Sequence, residues 1–297
     1  MMVRLFKWFV VVMSGLLVVW WLNIPFLDSQ KNTDPTIVTA TPILEDLITR
    51  IVGPDINIVS LVERTTDPIT QSIPVEKLKM LETADVVVLN GGGLEANYGD
   101  LSKYIRKGTT VINIHDLMSK YEKKWPTYYW MSPVSWNKLV HYLQIKLKTK
   151  FPKRRSEINY RKMAYTNDIY SLYQSIKSSL DRVPKNKKII LSNHASFAPF
   201  AKAFGFKFVA LNLMAPLDDA ALNDMVDTLK KKNIRVLHPN DAVSKEGIDA
   251  LVKAALAQGW QLSVGKPIFS LNIDVKGSGV DSYIKMMEFN SRSLGDG

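Results

Sequence analysis

Four histidines, His115, His141, His194 and His238, are the side chains best suited to coordination or proton chemistry in this chain of 297 residues, which has no cysteine. Without thiols there are no disulfides, no cysteine zinc sites, no cysteine nucleophile and no lipidated N-terminal cysteine. A neutral imidazole offers a lone pair to a metal or moves a proton near neutral pH. His194 has the most informative surroundings. The apolar run 188–191 (KIIL) reads as a buried strand, and Ser192, Asn193 and His194 form a polar turn after it. Phe197, Phe200 and Phe204 then recur at the spacing of one helical face, Gly205 ends that helix, and 206–211 reads as the next strand. His194 thus stands at the carboxyl end of a strand, where open α/β sheets place ligands. The competing reading is a histidine that caps the helix start.

His115 follows the strand 110–114 in the same way, and His238, ahead of Pro239, reads as a turn residue after the strand 234–237. Gly91, Gly92 and Gly93 follow a strand and suggest either a phosphate cradle or a tight turn. No G-x-G-x-x-G and no Lys-Ser/Thr pair accompanies them, which favours the turn. G-x-S-x-G, H-E-x-x-H, P-loop and paired-carboxylate motifs are absent, and the histidines lie far apart in the chain. The sequence is therefore read as a non-enzyme.

Strand-like runs at 36–41 and 55–62 bracket an amphipathic helix at 42–51, and this β-α-β start implies a parallel sheet covered by helices. Helices are expected at 136–147 and 156–180, the second long, with apolar positions Ile158, Met163, Tyr170, Leu172, Tyr173, Ile176 and Leu180. Its heptad is not sustained, so a coiled coil is not favoured. Further on, helices are expected at 220–231 and 244–259, the latter with Ile248, Leu251, Val252, Ala255 and Leu256 on one face. The apolar fraction of 46% is ample for two cores, and the length suits two domains.

The formal charge is +11, yet no nucleic-acid-binding motif accompanies it. Solvated helix faces, or attraction to anionic lipid, account for it more simply. Arg4 and Lys7 precede an uncharged run at 8–26, and no small-x-small cleavage site follows. An uncleaved signal anchor, oriented N-in, is the first reading and a cleaved signal peptide the second. Either puts the rest of the chain outside the cytoplasm.

Several segments, in order along the chain, carry a resemblance. Ser192 to Gly205 resembles SHDAFGYFAKAYG. Asp67, Pro68 and Thr70 match a DPHTYEPTPSD loop, Asn90 to Glu95 resembles NGLGLE, Tyr128 to Pro133 resembles HVWLDP, and Asp281 to Asn290 resembles D-x-Y-x-x-M-M-x-x-N. These motifs belong to the TroA-like (cluster A-I) solute-binding proteins of zinc and manganese ABC transporters, and the resemblance spans 36–290.

The resemblance implies an α/β fold of two parallel-sheet lobes bridged by a single long helix, with a ligand cleft between them. The corresponding divisions are 1–28 (anchor or signal peptide), 29–150 (first lobe), 151–186 (connecting helix) and 187–297 (second lobe). It also implies metal ligands at His194, Asp274 and Tyr128. Tyr128 stands where the family has histidine, and it binds a cation only as phenolate. Ile69 occupies the family's first histidine position, so that ligand is lost unless Asp67 or another group reaches in. Family members carry phenylalanine and glutamate near His238 and Asn240. The implied cargo is zinc or manganese, with iron as a further candidate, and the implied partners are an ABC permease and its ATPase, the protein itself being a monomer. A tyrosine, histidine and aspartate set is harder than three histidines and shifts preference toward manganese or ferric iron. The alternative is a membrane-anchored scaffold without metal that acts in adhesion or protein interaction.

Overall fold

The structure, a computed structural model, describes residues 36–211, 213, 217–240 and 245–295. The apolar run 8–26 lies outside them, and among the described residues no helix is long and apolar enough to cross a membrane. Four short strands rich in β-branched residues, β1 (Thr36–Thr39), β2 (Asn57–Ser60), β3 (Val86–Leu89) and β4 (Thr110–Asn113), form an all-parallel sheet in the order β2-β1-β3-β4. The order reverses direction between β1 and β3, which makes their carboxyl ends the natural mouth of this lobe.

Between β1 and β2 runs α1 (Pro42–Val52), started by Pro42 at its first turn and closed at Gly53, whose φ is +101°. Ile43, Leu44, Leu47, Ile48, Ile51 and Val52 are buried on it. Short helices α2 (Val75–Leu78) and α3 (Ile114–Ser119) complete the lobe. α4 (Pro133–Lys150) begins where the Ser132 hydroxyl accepts from Ser135 N at 3.3 Å. Serine is among the residues best suited to cap a helix start in this way.

α5 (Arg155–Leu180) is the long helix and packs against α4 and α1. Its buried stripe is Ile158, Tyr165, Ile169, Leu172, Ile176 and Leu180. Met163 and Tyr170, expected on that stripe, are 64% and 63% exposed. Met163 lies about 100° and Tyr170 about 80° around the helix from the nearest stripe residue, so an apolar type alone mis-assigns them.

In the second lobe, β5 (Ile189–Ser192), α6 (Ala198–Ala203), β6 (Lys207–Ala210), α7 (Asp219–Lys232), β7 (Val236–Leu237), α8 (Glu246–Ala257) and β8 (Ser263–Val264) follow. β5 pairs β6 and β7 pairs β8, all parallel, and a parallel bridge between Ser192 and His238 joins the two pairs. The resulting order β6-β5-β7-β8 repeats that of the first lobe. On α8, Ile248, Leu251 and Ala255 are buried, but Leu256 is largely exposed, which corrects the expected face. The last helix, α9 (Tyr283–Gly295), returns to pack on α5 and α1. Two separate cores result. One runs through Ile37, Val87, Trp136, Ile169 and Tyr283, the other through Leu191, Val226, Leu237 and Leu251.

The glycine turn after β3 resolves as a turn. The Glu95 carboxylate accepts from Asn90 N at 2.7 Å and Gly91 N at 2.9 Å, taking the N–H groups a phosphate would need. Gly91 has φ +71°, and a Cβ there would lie 2.1 Å from Asn113 Oδ1, so no other residue fits. Burial holds the Glu95 carboxyl above its usual range. Glu95→Ala, which strands both N–H groups, is expected to lower unfolding free energy by about 2–4 kcal/mol in urea titrations. A change below about 1 kcal/mol would show that water replaces the carboxylate at no loss.

Candidate metal centre

The carboxyl edges of the two sheets supply the candidate site. Asn193 and His194 follow directly on the carboxyl end of β5. Extended backbone at His194 (φ −147°) turns its ring onto the short 3₁₀ turn Ala195–Phe197, and Nδ1 accepts from Ser196 N at 3.1 Å. His194 is therefore the cap of that turn, as the competing sequence reading expected. Ser196 Oγ lies 2.8 Å from Nδ1 and is hydrogen bonded to Ser270 Oγ, to which Asn240 Nδ2 also donates. Asn240 N donates to Asn193 Oδ1 at 2.7 Å. Burial lowers the His194 pKa below 6.5, against a smaller opposing pull from the Asp67 carboxylate.

Tyr128 comes from the first lobe. It precedes the 3₁₀ turn Tyr129–Met131, whose three residues are all buried. Tyr129 Oη donates to Asn90 Oδ1 at 2.9 Å, and Trp130 Nε1 donates to Ser270 O at 2.8 Å. Between these anchors the Tyr128 ring meets His194 edge-on, with centroids 5.6 Å apart and planes at 75°. Burial, and then the charge of Asp67, hold its hydroxyl above the ordinary tyrosine value of 10.0.

The Asp67 carboxylate lies within electrostatic reach of both His194 and Tyr128. Its Oδ1 accepts from Ile69 N at 2.8 Å and its Oδ2 from Thr70 Oγ1 at 3.1 Å, a local turn that leaves lone pairs on both oxygens. The loop is stitched to the chain's last segment. Asn272 Nδ2 donates to Glu63 O at 2.9 Å and Thr66 O at 3.1 Å, and Arg64 Nη1 donates to Asp274 O and Asp281 O at 3.1 and 3.0 Å. Ile69 is half-buried against the core and presents no lone pair.

Asp274 turns its carboxylate onto Val275 N at 2.7 Å, and its backbone is held by Arg64. Among the described residues, no group of three His, Cys, Asp or Glu side chains is placed to hold a metal ion. A site here therefore needs the Tyr128 oxygen, or a turn of Asp274. His115 packs against Gly92, His141 stands exposed beside Tyr142, and buried His238 has Nδ1 3.1 Å from Lys266 O. The sequence reading did not single out Ser270 and Asn272. Their signal is two polar residues alternating with Phe269, Leu271 and Ile273, all set in an apolar run.

The sequence model of the periplasmic zinc-uptake complex component A (ZnuA) matches residues 37–297. The chain belongs to this family. Among ZnuA-family relatives, the zinc-binding protein TroA of Treponema pallidum is 20% identical over 272 residues, covering 89% of this chain and 88% of that protein. The manganese-binding lipoprotein MntA of Bacillus subtilis is 24% identical over 276 residues, covering 89% and 90%. The iron ABC transporter substrate-binding lipoprotein MtsA of Streptococcus pyogenes is 24% identical over 290 residues, covering 91% and 90%. The solved structure of TroA shares the fold with a TM-score of 0.81 at 18% identity, over 89% of this chain and 98% of that one. A cadmium-bound periplasmic metal-binding protein from Candidatus Liberibacter asiaticus gives 0.75 at 16% identity, over 89% and 99%. The two-lobe α/β architecture of the ZnuA family is thus this chain's fold.

Within that ZnuA frame, His194 and His238 are both held below 6.5 by burial. An unfolded chain takes up protons at these positions as pH falls through about 6.5, while the folded chain resists until lower pH. Their contribution to stability is full above 6.5 and is lost as pH falls. The drop in urea midpoint between pH 7.5 and 5.5 is expected to be smaller in His238→Asn than in the native chain. An equal drop would remove His238 from the linkage.

Proposed function

We propose that this chain is the extracytoplasmic capture component of an ABC importer for a transition-metal ion, with a permease and ATPase as partners. The supporting observation is that Tyr128 of the first lobe meets His194 of the second edge-on, with the Asp67 carboxylate within electrostatic reach of both. Asp67 replaces the donor that Ile69 lacks, and Asp274 joins if its carboxylate leaves Val275 N. The task is capture rather than catalysis: a cation draws loops from both lobes onto itself, and the closed form is what a permease distinguishes. The relatives carry zinc, manganese and iron in their names. Two oxygen donors and one nitrogen make a harder set than three imidazoles, which narrows the advantage of zinc over manganese and favours ferric iron. Tyr128 stays a phenol in the buried cleft, so only a strongly charged cation ionises it. The run 8–26 would hold the protein at the membrane. The names of these relatives give no support to an adhesion role.

Calorimetry and elemental analysis of the full chain with zinc, manganese and iron test the reading. One metal per chain is expected, weakened at least tenfold, about 1.4 kcal/mol, by His194→Ala. Failure of the native chain to bind any of the three, or binding unchanged by that substitution, would overturn it.

A further inference from the structure

A cavity of about 390 Å³ lies between the sheet of the second lobe and the end of α9, walled by Ile189 of β5, Val236 of β7, Leu294 of α9 and Phe206. Its rim carries Lys187, just ahead of β5, and Arg235, just ahead of β7. Among the described residues neither is paired with a carboxylate, and no Asp or Glu lines the cavity. Asp181, just past the end of α5, is taken by Lys177 and Lys188. The guanidinium carbon of Arg235 stands 3.9 Å from the Trp260 ring centroid, and Trp260 is fixed in turn by Nε1 donating to Ile234 O at 2.9 Å. A guanidinium laid on an aromatic face keeps its N–H edges for an anion. At the other end of β7, His238 lines the same cavity and is only 8% exposed. Its Nδ1 lies 3.1 Å from Lys266 O, and a carbonyl only accepts, so the ring proton sits on Nδ1 and Nε2 holds a lone pair. Burial keeps this ring neutral near pH 7. Nε2 makes no hydrogen bond among the described residues, and a buried acceptor of this kind is met by water or by a ligand.

We propose that this cavity is a ligand site separate from the metal cleft, and that it takes a small organic acid with an apolar body and a hydroxyl at the end away from its carboxylate. The carboxylate meets Arg235 and Lys187 at the rim, the body lies on Ile189, Val236 and Leu294, and the hydroxyl donates to His238 Nε2. Arg235 and His238 are three residues apart on an extended stretch, roughly 10 Å, which sets the distance between the ligand's two polar ends. A hydroxyphenyl acid suits this layout: its ring fills an apolar slot, and a phenol donates more strongly than an alcohol. A compact inorganic anion would meet the rim alone and leave the walls and Nε2 without a partner. Cavities of this size, apolar with a few convergent polar groups, are the usual form of small-molecule sites. The rim stands at the amino edge of the second sheet, whereas His194 follows the carboxyl end of β5. The proposal therefore does not rest on the capture of a metal ion.

Calorimetry of the full chain with phloretate (para-hydroxyphenylpropanoate) and hydrocinnamate tests this, since the two acids differ only in the hydroxyl. One phloretate per chain is expected, bound about three- to tenfold more tightly than hydrocinnamate. Lys187→Gln and Arg235→Gln, both at exposed positions, are each expected to weaken both acids at least threefold. His238→Leu removes the lone pair and is expected to bring the two acids to equal affinity. Transferred nuclear Overhauser effects between the phloretate ring protons and the methyl groups of Ile189, Val236 and Leu294 place the ligand. No saturable phloretate binding overturns the proposal, as does equal affinity for the two acids in the native chain. Binding unchanged in both rim variants, or phosphate competing as well as phloretate, also overturns it. These results stand even if His238→Leu fails to fold. Zinc, manganese and iron titrations of the same chain judge the capture reading independently.

Discussion

Ile69→His is expected to raise zinc affinity at least tenfold, about 1.4 kcal/mol, and manganese affinity by less. Ile69 N donates to Asp67 Oδ1 at 2.8 Å, so position 69 belongs to the same turn that presents Asp67 to the cleft. The side chain is half-buried at the rim of the core, where an imidazole replaces apolar contact with a lone pair. Zinc takes nitrogen donors more readily than manganese, so one added imidazole widens the gap between them. The matching loss is Asp67→Asn. It retains an amide oxygen able to accept from Ile69 N, so the turn survives while the charge beside Tyr128 and His194 is gone. Manganese affinity is expected to fall tenfold or more. Calorimetry on both variants decides: unchanged manganese binding in Asp67→Asn would remove Asp67 from the site, and an unchanged zinc-to-manganese ratio in Ile69→His would show that position 69 does not reach the ion.

Trp136→Ala is expected to destabilise the fold by about 3–5 kcal/mol, among the largest effects of any single truncation. Trp136 is fully buried on α4. Its ring stacks on Tyr283 of α9 with centroids 4.5 Å apart, lies parallel to Tyr129 at 6.2 Å, and its Nε1 donates to Tyr165 Oη of α5 at 2.9 Å. One side chain therefore joins three helices and the turn that carries Tyr128. Burial drives the phenols of Tyr165 and Tyr283 far above their ordinary range, so both remain neutral and packing rather than charge holds them. Trp136→Phe keeps the stack and removes the donor to Tyr165, with an expected loss of about 1–3 kcal/mol. Urea unfolding of the three chains gives both numbers. A loss under 1 kcal/mol in Trp136→Ala would mean that neighbouring rings collapse into the space.

The strands and long helices were legible because their signals are local. The β-branched runs at β1, β3 and β5, the Pro42 and Gly53 boundaries of α1 and the length of α5 all follow from nearest-neighbour physics. Helical phase was less legible. Met163 and Leu256 are apolar in type but face water, since a helix buries a direction rather than a residue class. His194 stood out by its place after β5, whereas Asp67, already named as a group that could reach in, is put within electrostatic reach of Tyr128 and His194 only by the tertiary structure.

The sequence by itself determined the α/β class, the order of the elements and the absence of thiol chemistry. Each is a property of residue type or short spacing. Only the tertiary structure decided which nitrogen of His194 is engaged, that Ser270 and Asn272 reach back to Ser196 and to the Asp67 loop, and that Asp274 turns onto Val275. Those contacts join residues as far apart as 209 positions. Their geometry is fixed by how two sheets and a long helix pack, and no local pattern along the chain encodes it.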